Sequence, residues 1–173
     1  MTEMANRIAA GLERAFAAQG FAQPSVEDLR EAAGVSLRTL YKYAPSREEM
    51  VRLAMEHRHQ RYLARLFADL PDDRGKALDA IIDRVAGWME TEASHGCLFH
   101  AAVAAAPSDP DLRALLLRHK AEVARQAALA CGLPGREADL TLILEGLTQS
   151  WPLEGQAAVA SARRLSALLR AAG

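Results

Sequence analysis

The sequence is poor in the residues from which disulfide frameworks and β-sheets are built. Its 173 residues include two cysteines, Cys97 and Cys131, and neither belongs to a CxxC pair. Two cysteines make no disulfide framework in a chain of this length and suggest no structural zinc, so both of these classes are excluded. Aromatic residues are 5% of the chain and β-branched residues are scattered. Because strands need such residues in alternation, helix is expected throughout.

A long apolar run is also absent. The first stretch, MTEMANRIAAGLERAF, has an acid or an arginine every few residues, so it lacks the apolar core of a signal peptide. No run approaches the roughly 20 apolar residues that a membrane-spanning helix needs. We therefore expect no membrane partner and a location in the cytoplasm, whose reducing conditions agree with the low cysteine content.

A strong charge of one sign is missing as well. The formal net charge is −1, and the first 60 residues contain eight Lys or Arg and eight Asp or Glu. Proteins that hold nucleic acid by bulk electrostatics are strongly basic, so this class is excluded. Any contact with nucleic acid must be local, and Arg38, Lys42 and Arg47 lie within ten residues that contain no acid.

Amphipathic helical patterns fill the chain. Hydrophobic residues are 50% of the sequence, enough to bury a core, and they recur at spacings of three and four. The fourth helix is long and would link the two halves of the chain, and Pro152 is expected to end the eighth helix. The prediction is an all-α fold with about nine helices, at about residues 4–19, 26–33, 37–43, 46–70, 76–94, 97–106, 110–131, 136–150 and 156–171.

The segment from Ser25 to Arg47, SVEDLREAAGVSLRTLYKYAPSR, predicts two short helices joined by the tight turn Gly34-Val35-Ser36. Glycine supplies the positive φ that ends the first of these helices, and Ser36 can cap the next one through its hydroxyl. This arrangement is typical of a helix-turn-helix motif, and its second helix carries side chains suited to contacting DNA.

The run AAGVSLRTLYKYAPSREEM, within a three-helix start, resembles the DNA-binding domain of the TetR-type transcriptional repressors. In that family the run typically reads AAGVS, a variable pair, T-L-Y, a phenylalanine, a Ser-Lys and a pair of acids. The match covers about residues 8–53, and GCLF at residues 96–99 looks like the opening of the sixth helix in part of the family. The resemblance implies a helix-turn-helix DNA-binding domain at residues 1–46 and a helical effector-binding and dimerisation domain at residues 47–173, linked by the fourth helix.

Two positions depart from the family pattern. Ala44 stands where the family usually has phenylalanine, so an aromatic plug between the recognition helix and the fourth helix is missing. A looser local core is expected there unless Tyr43 compensates. Arg47 stands where the family usually has lysine, and because it keeps the positive charge, a contact with a DNA phosphate remains expected.

The resemblance also implies roles in DNA binding. Contacts with the DNA backbone are implied for Ser25, Thr39, Tyr41, Tyr43 and Arg47, and contacts with base edges are implied for Ser36, Leu37, Arg38 and Lys42. Arg38 is the strongest candidate for reading a base, because a guanidinium can donate two hydrogen bonds to O6 and N7 of guanine. The alternative is that the motif serves an ordinary helical protein and that Arg38 and Lys42 are solvated surface residues.

The resemblance further implies a two-fold dimer on a roughly palindromic operator. The residues implied for the dimer interface are Leu140, Leu144, Leu147, Trp151, Leu165 and Leu169. Alternatively, these residues complete the core of a single chain. The residues implied for an effector pocket are Trp88, Met89, Cys97, Phe99, His100, Val103, His119, Val123 and Trp151. Alternatively, each of these is a core residue. Few charged residues are expected to point inward, which favours an apolar or aromatic effector.

A cluster of metal-binding residue types occurs near the predicted sixth helix. His95, Cys97 and His100 are ligand types for zinc or copper, but their spacing is poor because His95 precedes the helix. We therefore predict no metal site and no cofactor. Cys97 could be a redox sensor, and the alternative is a buried cysteine that behaves as a small hydrophobe.

Sequence features of enzymes are not visible. There is no Ser-His-Asp order with a supporting loop, no phosphate-cradling glycine motif and no carboxylate pair in an apolar setting, so no catalytic residue is expected. The sequence predicts a ligand-responsive repressor that binds double-stranded operator DNA as a homodimer and is released by a small, largely apolar effector. The alternative is a helical ligand-binding or interaction protein that no longer binds DNA specifically.

Overall fold

The computed structural model describes residues 2–93 and 96–172. Helices and the turns between them make up this part of the chain, and none of its helices is long and apolar enough to cross a membrane. The all-α prediction is confirmed. The helices of the described residues are α1 (Glu3–Gln19), α2 (Val26–Ala33), α3 (Leu37–Tyr43), α4 (Arg47–Phe67), α5 (Arg74–Glu92), α6 (Leu98–Ala105), α7 (Pro110–Cys131), α8 (Glu137–Glu154) and α9 (Gln156–Ala171).

The chain folds as two compact units. The first unit consists of Met1–Tyr62 and Leu98–Leu116, and the second unit consists of Leu63–Cys97 and Leu117–Gly173. Both α4 and α7 contribute residues to each unit, since a unit boundary falls inside each of these helices. The domain boundary expected after residue 46 stays a prediction.

The first unit contains the three N-terminal helices. On α1 the apolar residues Ile8, Leu12 and Phe16 fall at helical spacing and are fully buried. Helix α1 packs against α2, and α2 packs against α3. Leu29 and Leu40 are the fully buried anchors of α2 and α3. One anchor is enough to fix the inner side of α3, which has seven residues, and the rest of this helix is left to face outward.

The second unit has a core of three mutually packed helices. Helix α5 packs against both α8 and α9, and α8 packs against α9. Ile81 and Ile82 of α5, Leu140 and Leu144 of α8 and Val159 of α9 are buried. These side chains recur at intervals that place them on the inner face of each helix, so burial of apolar surface stabilises the unit.

The end of α8 differs from the prediction. Pro152 lies inside the helix, which continues to Glu154, so the expectation that Pro152 ends it is wrong. Proline removes one backbone donor, but the last turn is still closed because the N–H of Gly155 donates to the carbonyl oxygen of Trp151 at 3.0 Å. Gly155, with a φ of +50°, ends α8, and α9 begins at the next residue.

Candidate nucleic-acid interface

The start of α2 is fixed by a reciprocal capping box. The Oγ of Ser25 accepts from the N–H of Asp28 at 3.2 Å, and the Asp28 carboxylate accepts from the N–H of Ser25 at 2.8 Å. The Ser25 hydroxyl also donates to that carboxylate at 2.7 Å. Hydrogen bonds from the Ser25 side chain and backbone lower the pKa of Asp28, so the carboxylate stays charged at the helix N-terminus. These hydrogen bonds give the Ser25 side chain a defined orientation.

The turn between α2 and α3 has the predicted geometry. Gly34 adopts the left-handed conformation with a φ of +64° and a ψ of +38°, which a glycine reaches without steric cost. Ser36 then caps α3, because its Oγ accepts from the N–H of Thr39 at 3.1 Å. The hydroxyls of Ser36 and Thr39 also lie 2.8 Å apart and share a hydrogen bond. Both hydroxyls therefore have a structural use before any DNA is bound.

The helices α1 and α2 approach each other at Gly11. A Cβ atom added there would overlap the carbonyl oxygen of Ala32 and lie 2.5 Å from the Cα of Ala33. Both of these are backbone atoms, so neither can move aside without moving α2. The hydrogen of glycine is therefore required for this helix pair to pack as observed.

The outer face of α3 presents four side chains together. Leu37 and Tyr41 are 41% and 42% exposed, and Arg38 and Lys42 are exposed as well. Arg38 makes no hydrogen bond or ion pair with any other residue that the structure describes. The ammonium of Lys42 lies 6.0 Å from the centre of the Tyr43 ring. A short helix with free cationic, phenolic and apolar groups on one face is what contact with a DNA groove requires.

Arg47 has a different environment from these four residues. Its guanidinium is part-buried, and its Nη1 and Nη2 donate to the carbonyl oxygens of Pro24 and Phe21 at 2.8 and 2.7 Å. The guanidinium carbon lies 6.0 Å from the centre of the Phe16 ring, which stacks on Phe21 with the ring centres 5.1 Å apart. The phosphate contact expected for Arg47 would thus have to compete with contacts inside the chain.

Ala44, the second departure from the family pattern, is fully buried. Tyr43 beside it is half-buried, and its ring lies under the Lys42 ammonium. The expected looseness at this junction stays a prediction.

Sequence reasoning missed a buried charge cluster between α1 and α4. The Glu13 carboxylate is almost fully buried and accepts hydrogen bonds from Arg58 at 2.9 Å and Arg61 at 2.7 Å. The Nδ1 of His57 lies 2.6 Å from the same carboxylate. The available signal was the register, because Glu13 lies four residues after Ala9 and three before Phe16, both on the apolar face of α1.

A second missed contact joins α4 to the start of α7. Asp109 caps α7 through its Oδ1, which accepts from the N–H groups of Asp111 and Leu112 at 3.0 Å each. Its Oδ2 accepts from Arg52 of α4 at 2.8 Å. Arg52 also pairs with Glu49 at 2.6 Å, and this hydrogen bond is the main cause of a raised pKa at Arg52. The Asp109 carboxylate therefore caps the N-terminus of α7 and also pairs with a side chain of α4.

The residues expected to line an effector pocket are divided between the two units. In the second unit, Trp88, Met89, His119 and Val123 are buried, and Cys97 and Trp151 are partly exposed. In the first unit, Phe99 is buried, Val103 is partly exposed and His100 is exposed. The pocket stays a prediction.

A charged pair lies beside Cys97. The Nζ of Lys120 is 3.4 Å from the Cys97 sulfur and 2.7 Å from Glu145. His95 lies outside the described residues, and the described residues contain no group of three His, Cys, Asp or Glu side chains placed to hold a metal ion. The second unit thus holds a partly buried ion pair in a region where few charged residues were expected to point inward.

The six residues expected at a dimer interface differ in exposure. Leu140, Leu144 and Leu147 are buried by the helices of their own unit, so they have little surface left for a partner. Trp151 and Leu169 are partly exposed, and Leu165 is 51% exposed. Other exposed leucines on the same two helices are Leu142, Leu153 and Leu168.

A groove runs between α8 and α9 on this surface, with a volume of about 240 Å³. Its lining includes Leu142 and Leu165 and the small residues Gly146, Ala157 and Ser161. Exposed leucines beside small residues form an apolar surface that another helix can approach closely.

The capped helices α2 and α3, the left-handed Gly34 between them and the polar outer face of α3 define a helix-turn-helix protein.

Comparisons with known proteins find a family model that matches part of the chain and solved structures with a similar fold. Residues 8–54 match the model of the bacterial regulatory proteins of the tetR family. A TetR-family transcriptional regulator from Streptomyces coelicolor has a similar structure, with a TM-score of 0.78 and 18% identity over 98% of this chain and 90% of that chain. A transcriptional regulator from Rhodococcus sp. Rha1 also gives a TM-score of 0.78, with 20% identity over 99% of this chain and 97% of that chain. Comparison with curated proteins gives no match.

Residues 8–54 therefore match the N-terminal model of the tetR family, and the chain has the fold seen in TetR-family transcriptional regulators. The resemblance inferred from the sequence is confirmed.

Proposed function

We propose that this protein is a sequence-specific, DNA-binding transcriptional repressor that acts as a homodimer on a palindromic operator. The observation that carries the proposal is the outer face of α3, where Leu37, Arg38, Tyr41 and Lys42 are exposed together. Arg38 makes no hydrogen bond or ion pair with the described residues, so its guanidinium can enter the major groove without breaking a polar interaction. It is the residue proposed to read a guanine.

The roles proposed for the side chains of the motif follow the family resemblance. Ser25, Thr39, Tyr41 and Tyr43 are proposed to contact phosphates, which fixes the register of the protein on DNA without reading sequence. Ser36 and Leu37 are proposed to approach base edges, with Leu37 against a thymine methyl. The capping bonds of Ser36 and Thr39 orient their hydroxyls before binding, which lowers the entropy lost in the complex.

Homodimerisation is proposed because one copy of α3 reaches only a few base pairs, and two copies related by a two-fold axis read a palindrome. The surface proposed for this contact is the groove between α8 and α9 and the exposed leucines beside it. Leu142, Leu165 and Leu168 supply apolar area that would otherwise face water. This set replaces the buried Leu140, Leu144 and Leu147 as the main contribution to the interface.

Release from DNA by a small, largely apolar effector is also proposed. The buried Trp88, Met89 and Val123 of the second unit supply apolar surroundings, and Lys120 beside Cys97 supplies one polar contact. An effector acts if it binds one conformation of the dimer more tightly than the other. The ion pair between Arg52 and Asp109 links the start of α7 to α4, next to the motif. Helix α7 continues into the second unit.

The central test is selection of duplexes from a randomised DNA pool, followed by binding measurements with the wild-type protein and Arg38→Ala. We expect the wild type to select a palindrome. Arg38→Ala should lose about 1–3 kcal/mol of discrimination at one base-pair position of each half-site. It should still bind other sequences. Glu31→Ala, a change at another exposed position of the motif, is the matched control and should select the wild-type sequence.

Selection of no common sequence, with weak and salt-sensitive binding to every duplex, would contradict the proposal. That outcome would identify the alternative, a helical ligand-binding or interaction protein. No catalytic role is proposed, and a regulator of this kind would work in the cytoplasm with the chromosome.

A further inference from the structure

We infer that Arg47 is a positioning residue that fixes the helix-turn-helix from inside, and that it does not neutralise a DNA phosphate. The inference rests on the proposed DNA binding. It departs from the role that its basic charge suggests, because its charged group is already engaged within the chain.

The contacts of Arg47 are directional and are made with backbone. Two N–H groups of one guanidinium reach two carbonyl oxygens, those of Pro24 and Phe21, at 2.8 and 2.7 Å. Both acceptors lie in the connector between α1 and α2, outside any helix, and no backbone N–H of the described residues donates to either of them. Pro24 and Phe21 are buried, so these carbonyls would be costly to leave without a donor.

The chemistry of the residue type suits this position. A guanidinium is planar and rigid, so it can donate to two acceptors at once while its face lies over an aromatic ring, here Phe16 at 6.0 Å. A lysine ammonium is a compact point charge, so it cannot reproduce this fork with the same geometry. The family's usual lysine and this arginine are therefore not equivalent here.

The position of these contacts in the chain explains what they would do. They join residue 47 to residues 21 and 24, which lie 26 and 23 positions earlier. The segment between them contains α2, the Gly34 turn and α3, so the contacts tie together its two ends. Ser25, at one end, and α3, near the other, are thereby held at a fixed separation. Their separation sets which phosphate and which bases can be contacted simultaneously.

The test compares Arg47→Lys and Arg47→Met with the wild type on the duplex that the wild type selects. We expect Arg47→Lys to weaken binding by about tenfold, comparable to losing one hydrogen bond to a charged group, although the charge is retained. We expect both variants to keep the wild-type slope of log affinity against log salt concentration. Each lost phosphate contact would instead reduce that slope by about 0.9.

The free protein provides the second measurement. Both variants should melt at a lower temperature than the wild type in the absence of DNA, because the carbonyls of Phe21 and Pro24 lose a donor. Ile8→Val is the matched control, since it removes buried apolar volume from the same unit. It should lower the melting temperature but leave the affinity, measured well below that temperature, within about twofold of wild type.

Three results would overturn either the inference or the proposed function. Wild-type affinity in Arg47→Lys, together with a slope reduced by about 0.9 in Arg47→Met, would overturn the inference and restore the phosphate contact. Absence of any sequence-specific binding by the wild-type protein would instead overturn the proposed function. Equal affinity losses in Ile8→Val and Arg47→Lys would also overturn the inference, because general destabilisation would then explain both.

Discussion

Glu13 has a buried carboxylate whose charge is balanced by side chains of α4. Its carboxylate is buried on α1, and Arg58, which it pairs with, is also buried. Neutralising Glu13 takes a charged acceptor away from Arg58 in a poorly solvated place, which costs more than breaking a surface pair.

Glu13→Gln should therefore lower the free energy of unfolding by about 3–5 kcal/mol. Urea denaturation followed by circular dichroism would measure the change. Glu31→Gln, at an exposed position of α2, is the control and should change the stability by less than about 0.5 kcal/mol. Similar values for the two variants would mean that the Glu13 cluster contributes no more than surface charges.

The two cysteines should differ in reactivity. Burial raises the pKa of the Cys131 thiol to about 11, because the low-dielectric surroundings disfavour the thiolate. At pH 8 the thiol form dominates, and the thiolate that reacts becomes populated only as the pH approaches 11. Ellman's reagent at pH 8 should therefore detect one thiol, Cys97, in the native chain and two thiols in denaturant. Two rapidly reacting thiols in the native protein would contradict this assignment.

At the scale of elements, the helices α1 and α2 pack so closely that a larger side chain cannot be placed between them at Gly11. At Gly11 the backbones of the two helices are in direct contact, so any side chain larger than the hydrogen of glycine would overlap α2. Packing this close also transmits any shift of α1 to α2, and through the short turn to α3.

Gly11→Ala should destabilise the protein by about 1–3 kcal/mol, since the added methyl meets backbone that cannot rotate away. It should also weaken DNA binding by displacing α2 and α3. Gly87→Ala is the matched control, because Gly87 lies inside α5 with an ordinary helical backbone, and an added Cβ would lie 4.0 Å from the end of the Arg65 side chain, an ordinary van der Waals distance. That variant should be more stable by about 0.5–1 kcal/mol. Thermal melts of both variants would show opposite signs, and a loss of stability in both would contradict the packing argument.

Element boundaries were predictable where local chemistry decides them. The cap at Ser36 was recognisable because a capping side chain bonds to backbone two or three residues away. The end of α8 was not, because a proline in a last turn is compatible with either outcome. The deciding feature was the conformation of Gly155, which no neighbouring residue signals.

The contacts of Arg47 and Glu13 could not be predicted for a different reason. Glu13 meets its partners 44 to 48 residues later in the chain, and such pairing depends on how helices pack. The acceptors of Arg47 are backbone carbonyls, which every residue possesses, so the sequence carries no mark of which ones it will reach. The family resemblance could predict that Arg47 carries a useful charge, but not that the charge is used internally.

At the scale of the molecule, the exposed leucines of α8 and α9 are apolar side chains that are not buried within a single chain. Leu142 and Leu165 border the groove between these helices and are 74% and 51% exposed. Burying them against a second copy would recover the free energy of their apolar area.

The wild-type protein should therefore elute as a dimer in size-exclusion chromatography with light scattering, and Leu142→Glu with Leu165→Glu should elute as a folded monomer. A carboxylate facing its own two-fold copy is doubly unfavourable, through desolvation and like-charge repulsion. Leu129→Glu, at a similarly exposed position of α7, is the control and should remain dimeric. A monomeric wild type, or dissociation in the control alone, would contradict this choice of surface.

The first unit is assembled from two stretches of chain, Met1–Tyr62 and Leu98–Leu116. A ribosome adds about 5–20 residues per second, so the earlier stretch emerges several seconds before the later one. During that interval α4 lacks Asp109, and the pair Arg52–Asp109 cannot form. The order of synthesis therefore delays completion of the DNA-binding end until much of the protein has been made, and a nascent chain cut short before residue 98 would display an unfinished surface.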